Sequence, residues 1–245
     1  MNDYELFRMR ISAIANLVAD CRERDEKIRY ESFTEKFTQC ISRASLFVDV
    51  GAEYGMYTFI AARDMPKNGV IYAIEPQPSR FAALYDAVNT NNQFDRRIFV
   101  INCAIAGHQG ELTLYQPDAQ TSPSFETTYF SKNNAIRVNS FSVPCSTLDE
   151  LFCDKKIDVL KIDIEGAEIF AVDGMQKILQ ERQTRIFIEI HKTQIEGFRH
   201  DGVEYLANLF RNYGYACYLC EGLRVIPKQF IGPGRYYLAP SDMIP

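Results

Sequence analysis

A glycine turn and an acidic residue follow the first two predicted β-strands. Leu46–Val50 is a short, mainly apolar run rich in β-forming residues, and the turn that follows it begins at Gly51 and reaches Gly55. Glu75 ends the next such run, 24 residues after Gly51, close to the ~20 residues that separate a glycine turn from a ribose-binding acid. Parallel strands present their carboxyl ends at one sheet edge, where α/β proteins bind ligands. The pattern predicts a nucleoside-containing ligand whose ribose is bound by Glu75.

The turn alone also fits an ordinary strand-turn-helix corner. It lacks the third glycine of the dinucleotide fingerprint and the Gly-Lys-Ser/Thr of a phosphate-binding loop. Glu53 adds a negative charge where two phosphates would lie near a helix N-terminus. S-adenosylmethionine has ribose and adenine but no phosphate, so it fits better than NAD. An NAD-dependent oxidoreductase is the weaker alternative.

A second polar group follows the later predicted strands. Val159–Ile162 leads to Asp163, and Ile186–His191 alternates so that Glu189 and His191 share a face. We predict that Asp163, Glu189 and His191 form the catalytic group at the same sheet edge. They either bind a divalent cation that orients an acceptor oxygen, or His191 acts as a general base.

Structural roles are the alternative for several of these side chains. His191 could be a packed histidine that a neighbouring acid stabilises. Glu165 and Glu168 could complement the N-terminus of the next helix, with one of them paired to Lys161. Asn102 follows the third predicted strand. Either its side chain or the neighbouring backbone reads the adenine edge, or it makes local backbone hydrogen bonds.

Five motifs resemble those of the FkbM-type S-adenosylmethionine-dependent methyltransferases, in the same order along the chain. They are Phe47–Thr58, Glu75–Pro76, Thr147–Leu151, Asp158–Glu168 and Phe187–His191. The resemblance covers roughly residues 46–220. Glu53 departs from the family, which commonly has Asn there, and an acid at this position can contact the amino group of the ligand.

The resemblance implies an S-adenosylmethionine site built from these motifs. The predicted cofactor-binding residues are Asp49, Gly51, Glu53, Gly55, Tyr57, Thr58, Glu75, Pro76, Asn102, Ala104 and Asp163. It also implies O-methylation of a hydroxyl on a sugar or secondary metabolite, with a small-molecule or glycan acceptor. The alternative from another class is a non-catalytic sensor or partner subunit that binds S-adenosylmethionine or a related nucleoside.

The elements that must position these residues alternate between strands and helices. The resemblance implies an α/β class I methyltransferase fold, a Rossmann-like sheet of seven strands, mostly parallel, flanked by helices. Residues 1–44 are predicted to be an N-terminal helical extension packed on the core, with a lid or a dimer contact as alternatives. Residues 45–245 form the methyltransferase domain. Its inserted loop 116–135 is either a substrate-recognising lid or a disordered surface loop.

Composition is consistent with one α/β domain. The chain has 245 residues, a net charge of −5 and a pI near 5.4, which does not indicate a nucleic-acid binder. Neither a signal-peptide region nor a run of ~20 apolar residues is present in the sequence. Of the seven cysteines, only Cys217 and Cys220 have Cys-x-x-Cys spacing. We therefore expect a cytoplasmic protein with reduced thiols, no membrane span and no nucleic-acid partner.

Overall fold

The computed structural model describes residues 2–20, 32–90, 97–116, 139–222, 224–228 and 232–243. Its helices are α1 Asp3–Asp20, α2 Ser32–Ile41, α3 Met56–Asp64, α4 Pro78–Thr90, α5 Leu148–Leu151, α6 Glu168–Asp173, α7 Gln176–Glu181, α8 Lys192–Phe198 and α9 Gly202–Asn212, followed by a short 3-10 helix at Ser241–Met243. Its strands are β1 Leu46–Val50, β2 Val70–Ile74, β3 Ile98–Ile101, β4 Ala104–Ile105, β5 Gly110–Gln116, β6 Asn139–Ser146, β7 Val159–Ile162, β8 Arg185–Ile190, β9 Tyr215–Glu221, β10 Arg224–Lys228 and β11 Gly234–Pro240.

The main sheet has eight described strands in the order β10-β9-β11-β8-β7-β1-β2-β3. The strands β1, β2, β3, β7 and β8 are parallel, whereas β11 runs antiparallel to both β8 and β9. This confirms the predicted mostly parallel α/β sheet with one strand more than expected. The addition is β10, an edge strand antiparallel to β9. Its exposed residues and Pro227 carry little strand signal, and proline is tolerated at a sheet edge.

Successive side chains of a strand in the main sheet point to opposite faces, and the two faces belong to two different cores. Val48 and Val50 of β1 belong to a core that includes residues of α5 to α9. Phe47 belongs to a second core, together with Phe7 of α1 and Phe37 of α2. Because the N-terminal helices bury large side chains in this second core, they form part of a layer that covers the sheet.

A smaller sheet of three strands, in the order β4-β6-β5, follows β3. β4 is parallel to β6 and brings Ala104 opposite Cys145, so the small sheet lies beside the end of β3. Of the predicted inserted loop, Gln116 is the last residue of β5, and residues 117–135 lie outside the described residues. None of the described helices has both the length and the apolar character that crossing a bilayer requires.

The parallel strands bring the predicted site residues to one edge. Five of the predicted site residues come directly after the last residue of a parallel strand: Gly51, Glu75, Asn102, Asp163 and His191. The carboxyl ends of parallel strands meet at the same edge. Residues that are far apart in the sequence therefore share one surface.

Candidate active site

A cleft at this carboxyl edge encloses about 630 Å³, including its part open to solvent. Acidic and apolar side chains share its walls. The residues that line it are Val50, Gly51, Glu53, Ile74, Glu75, Pro76, Arg80, Cys103, Ala104, Ile105, Leu114, Asp163, Ile164 and Glu165.

The turn after β1 requires glycine at position 51. Gly51 has a φ of +74°, and a Cβ atom there would lie 2.0 Å from the carbonyl oxygen of Asp163. The N–H groups of Gly51 and Ala52 both donate to the carbonyl of Ile74 at 3.0 Å. The turn is therefore fixed between the ends of β2 and β7, and no side chain fits between it and β7.

Glu75 is held at the end of β2 with only 3% of its surface exposed. Its Oε2 accepts the backbone N–H of Glu53 and its Oε1 accepts that of Gln77, both at 2.9 Å. Burial raises the pKa of Glu75, while Arg80 and the two N–H donors act in the opposite direction. Each carboxylate oxygen can accept a further hydrogen bond. Glu75 therefore keeps acceptor capacity for a ligand.

A buried arginine of α4, which the sequence analysis did not single out, completes this end of the cleft. Arg80 is 2% exposed, and its Nη1 lies 3.0 Å from Oε1 of Glu53. Its guanidinium also lies over the rings of Phe7 and Tyr54, at 5.3 and 5.4 Å from their centroids. Burial raises the pKa of Glu53 and the charge of Arg80 lowers it. Through Phe7, helix α1 supports the cleft.

Lys161 lies buried between two aspartates at the centre of this edge. It is opposite Asp49 in the register of β7 and β1, so the two side chains lie on one face of the sheet. Its Nζ lies 3.2 Å from Asp49 Oδ1 and 3.7 Å from Asp163 Oδ2. Burial lowers the pKa of Lys161, but the two aspartates raise it by more, so the net shift is upward. The strand register explains this pairing, which replaces the suggested pairing with an acid of the following helix.

Asp163, Glu165 and His191 meet at the other end of the cleft. One oxygen of each acid and one ring nitrogen of His191 all lie within 4.8 Å of one another. His191 Nε2 is 3.6 Å from Glu165 Oε2, and His191 Nδ1 is 2.8 Å from Oε1 of Glu168. Glu165 has a φ of +56°, a conformation that costs a non-glycine residue on the order of 1–3 kcal/mol and that clusters at functional sites.

The carboxylates around His191 favour its protonated form. Burial lowers the pKa of His191, but the hydrogen bond to Glu168 and the charges of Glu168, Glu165 and Asp163 raise it to about 9. At neutral pH the imidazole therefore carries a proton in this arrangement. A role as general base requires that this proton first be lost.

Glu189, which the sequence pattern grouped with Asp163 and His191, has a different partner. Arg235 of β11 is opposite Glu189 in the register, and its Nε donates to Glu189 Oε2 at 2.8 Å. β8 ends at Ile190 and His191 precedes α8, so the strand alternation stops before the histidine. Glu165 takes the place beside Asp163 and His191 that the pattern predicted for Glu189.

Some of the predicted cofactor-binding residues line the cleft, and the others do not. Those that line it are Gly51, Glu53, Glu75, Pro76, Ala104 and Asp163. Those that lie behind or beside these walls are Asp49, Gly55, Tyr57, Thr58 and Asn102. A direct contact of this second set with a cofactor stays a prediction.

Three residues of the second set have clear structural contacts. Thr58 donates to Asp49 Oδ2 at 2.7 Å. Asn102 Nδ2 donates to the carbonyls of Glu75 and Pro76, at 3.0 and 2.9 Å, which is the alternative role in backbone hydrogen bonding. These bonds fix the residues that follow β1 and β2.

Gly55 and Tyr57 support helix α3. A Cβ atom at Gly55 would lie 2.8 Å from Leu84 Cδ1, so the glycine permits close packing of α3 on α4. Tyr57 packs edge-on against Phe33 and Phe37 of α2, with centroid distances of 5.7 and 5.1 Å. Both positions connect the turn after β1 to the helical layer.

Comparison with known proteins agrees with this architecture. The sequence profile of the methyltransferase FkbM domain matches residues 49–217, more than half of the chain. The solved structure of methyltransferase FkbM from Methylobacillus flagellatus KT is similar, with a TM-score of 0.52 and 16% identity. The alignment covers 92% of this chain and 58% of that one, so this chain spans less than two thirds of that protein.

Two further solved structures are similar at lower scores. A methyltransferase from Geobacter sulfurreducens has a TM-score of 0.47 and 12% identity, with 94% of this chain and 87% of that chain covered. Aeropyrum pernix fibrillarin, in complex with natively bound S-adenosyl-L-methionine, has a TM-score of 0.46 and 10% identity, with 85% and 76% covered. No curated protein sequence matches the chain.

Proposed function

The chain belongs to the FkbM methyltransferase domain family, and we propose that this S-adenosylmethionine-dependent methyltransferase methylates a hydroxyl oxygen of a small-molecule or glycan acceptor. The observation that carries the proposal is one cleft with two chemically different ends. Glu75 at one end is buried and keeps acceptor capacity. Asp163 at the other end lines the cleft and lies beside His191.

The residues of the first end fit the cofactor. Glu75 offers acceptor oxygens to a ribose diol, and the carboxylate of Glu53, whose side chain is 43% exposed, is accessible to the amino group of a methionine moiety. Ile105 and Leu114 add apolar wall that an adenine ring can contact. Bound in this cleft, S-adenosylmethionine supplies an electrophilic methyl carbon, and attack by the acceptor oxygen releases S-adenosylhomocysteine.

The residues of the second end serve the acceptor. The side chain of Asp163 is 32% exposed and lines the cleft, so its carboxylate can accept the hydroxyl proton. Lys161, at 3.7 Å, restricts its position, and His191 can receive a proton only after losing its own. Positioning of the two reactants accounts for much of the acceleration, because effective molarities for well-oriented groups reach about 10⁵–10⁸ M.

The acceptor class follows from the family and from the charge of the cleft. A sugar or secondary-metabolite hydroxyl is the class that the family resemblance implies. Glu53, Glu75, Asp163 and Glu165 line the cleft with Arg80, and this acidic surface disfavours the phosphate backbone of a nucleic acid. A cytoplasmic location is part of the same proposal, since the cysteine spacing does not indicate a disulfide framework.

Calorimetric titration with S-adenosylmethionine, followed by an S-adenosylhomocysteine release assay, tests this function. The acceptor panel should contain sugars, polyols, phenols and amines. We expect saturable binding, and release with a hydroxyl acceptor. Release with amines alone would contradict O-methylation. Tight binding without release for any acceptor would favour a nucleoside sensor or partner subunit.

A further inference from the structure

The group at the acceptor end has the composition of a metal site. Asp163, Glu165 and His191 each direct one ligand atom into a region where these atoms lie within 4.8 Å of one another. Two carboxylates and one imidazole are ligand types that transition-metal dications accept. A shared ion requires shorter separations than this, and both carboxylate side chains are partly exposed, Asp163 by 32% and Glu165 by 42%.

The histidine is already oriented for such a ligand role. Its Nδ1 lies 2.8 Å from Glu168 Oε1, which leaves Nε2 on the side of Glu165 and Asp163. Metal-binding histidines usually donate their second N–H to a carboxylate or carbonyl, which fixes the ring. Glu168 is suited to this role because it is fully buried and also accepts the N–H groups of Ile164 and Gly166, at 3.3 and 3.2 Å.

The local charge also favours a dication. Glu168 Oε2 is buried and has no hydrogen-bond partner within the part of the chain that the structure describes. Lys161 lies 3.7 Å from Asp163 but is shared with Asp49 at 3.2 Å. The three carboxylates of Asp163, Glu165 and Glu168 outnumber the two cations beside them, Lys161 and the protonated His191. An unpaired buried carboxylate oxygen is also costly.

We propose that Asp163, Glu165 and His191 bind a divalent cation of the Mn²⁺ type, with Glu168 as the positioning residue for His191. Mg²⁺ and Ca²⁺ prefer oxygen ligands throughout. Imidazole suits transition-metal dications, and carboxylate suits Mn²⁺ among them, so a mixed set of two carboxylates and one imidazole favours this class of ion. Glu165 replaces Glu189 in the ligand set predicted from the sequence, because Glu189 is paired with Arg235.

The use of this ion rests on the proposed function. Asp163 and Glu165 line the same cleft as Glu75, so an ion held by them is accessible to an acceptor in that cleft. The chemistry suits an acceptor with two neighbouring oxygens, such as a vicinal diol or a hydroxycarbonyl group, which can chelate the ion. The ion would orient the acceptor hydroxyl and favour loss of its proton.

Binding of Mn²⁺ alone tests the site without any cofactor or acceptor. Loss of the free Mn²⁺ signal in electron paramagnetic resonance gives the Mn²⁺ affinity of the metal-free 245-residue chain. We expect saturable binding at one site per chain, with Mg²⁺ at least tenfold weaker in competition. Glu165→Gln and His191→Asn should each reduce Mn²⁺ affinity by at least tenfold. His191→Asn removes the Nε2 ligand and keeps an amide that can donate to Glu168.

Glu189→Gln is the matched control, since it neutralises a carboxylate at the same sheet edge that is already paired with Arg235. Its Mn²⁺ affinity should remain within about twofold of the parent's, because an outer-shell effect would be about tenfold or more. Glu168→Gln should lower the affinity, and Glu168→Asp, which keeps a carboxylate, should lower it less. Absence of saturable Mn²⁺ binding, equal affinity of the Glu165→Gln variant and the parent, or equal losses in Glu165→Gln and Glu189→Gln would overturn the proposal. S-adenosylmethionine titrations of the same samples separate that failure from a failure of the proposed function.

Discussion

The two ends of the cleft differ in how their charged groups are satisfied. At the Glu75 end, the carboxylate is 3% exposed and both of its oxygens accept backbone N–H groups. Arg80 on the same side pairs with Glu53 at 3.0 Å. At the Asp163 end, the side chains of Asp163 and Glu165 are 32% and 42% exposed. Their neighbour His191 contacts a fully buried acid, Glu168.

We infer from this difference that the two ends have separate roles. A buried group held by several backbone hydrogen bonds is pre-organised for one ligand geometry, which reduces the ordering cost of binding. Partly exposed carboxylates around a protonated histidine keep freedom to rearrange around an acceptor or an ion. Substitutions at the Glu75 end should therefore change cofactor affinity, and substitutions at the Asp163 end should change turnover.

The largest effect should come from a substitution in the turn that joins the two ends of the cleft. Gly51→Ala places a Cβ atom 2.0 Å from the carbonyl oxygen of Asp163 and should lower the free energy of unfolding by more than about 3 kcal/mol. Gly222→Ala is the matched control, because Gly222 also has a positive φ (+56°) but nothing lies within 4 Å of its Cβ position. It should lose about 1–2 kcal/mol. Urea unfolding measures both, and equal losses would contradict the close approach of the turn to β7.

The next largest effect should come from His191 and should appear in turnover. His191→Asn keeps a donor toward Glu168 but removes Nε2, so we expect kcat to fall by about 10²-fold or more. His200→Asn is the control, because His200 is an exposed histidine that does not line the cleft, and its kcat should be unchanged. Steady-state release of S-adenosylhomocysteine reports both values. Full turnover of His191→Asn would leave only the packed-histidine interpretation.

Glu75→Ala tests the Glu75 end of the cleft and should weaken cofactor binding. The substitution removes the acceptor for the N–H groups of Glu53 and Gln77 and for a ribose diol. A lost hydrogen bond to a charged group is worth about 1.5–3 kcal/mol, so the Kd for S-adenosylmethionine should rise by about 10- to 100-fold. Calorimetry checks the affinity, and circular dichroism checks that the variant remains folded.

The smallest effect tests the contribution of helix α1. Phe7→Leu keeps an apolar side chain under Arg80 but removes the ring, whose centroid lies 5.3 Å from the guanidinium. A cation–π contact of this kind contributes about 0.5–2 kcal/mol, so cofactor affinity should fall by a few fold while kcat at saturation stays the same. Leu17→Ala is the control on the same helix, because Leu17 is 54% exposed. If Phe7→Leu bound the cofactor as tightly as the parent, Phe7 and helix α1 would make no contribution to cofactor binding in the cleft.

The strands that carry the site, and the sheet edge that they share, could largely be predicted because the sequence patterns of strands and turns are local. The runs that form β1, β2 and β7 are short, apolar and followed by glycine or acidic residues, so strand ends and the shared edge follow from periodicity. Gly51 and Glu75 were identified for the same reason. The interpretation of the inserted loop 116–135 stays a prediction, since residues 117–135 lie outside the described residues.

The side-chain pairings of the site could not be predicted in this way because they depend on packing between distant elements. Arg80 is one of several charged helix residues until α4 packs beside Glu53. Glu165 replaced Glu189 because β8 ends before His191 and Arg235 arrives from β11, which follows β8 by more than forty residues. Strand alternation cannot indicate where a strand will end or which cation will lie opposite.

The most direct test of the division of labour is the S-adenosylmethionine affinity of His191→Asn beside that of Glu75→Ala, measured by calorimetry without added metal. We predict that the Kd of His191→Asn stays within about twofold of the parent's, while that of Glu75→Ala rises about tenfold or more. Equal weakening in both variants, or parental affinity in Glu75→Ala, would contradict the assignment of cofactor binding to one end of the cleft and of the acceptor to the other.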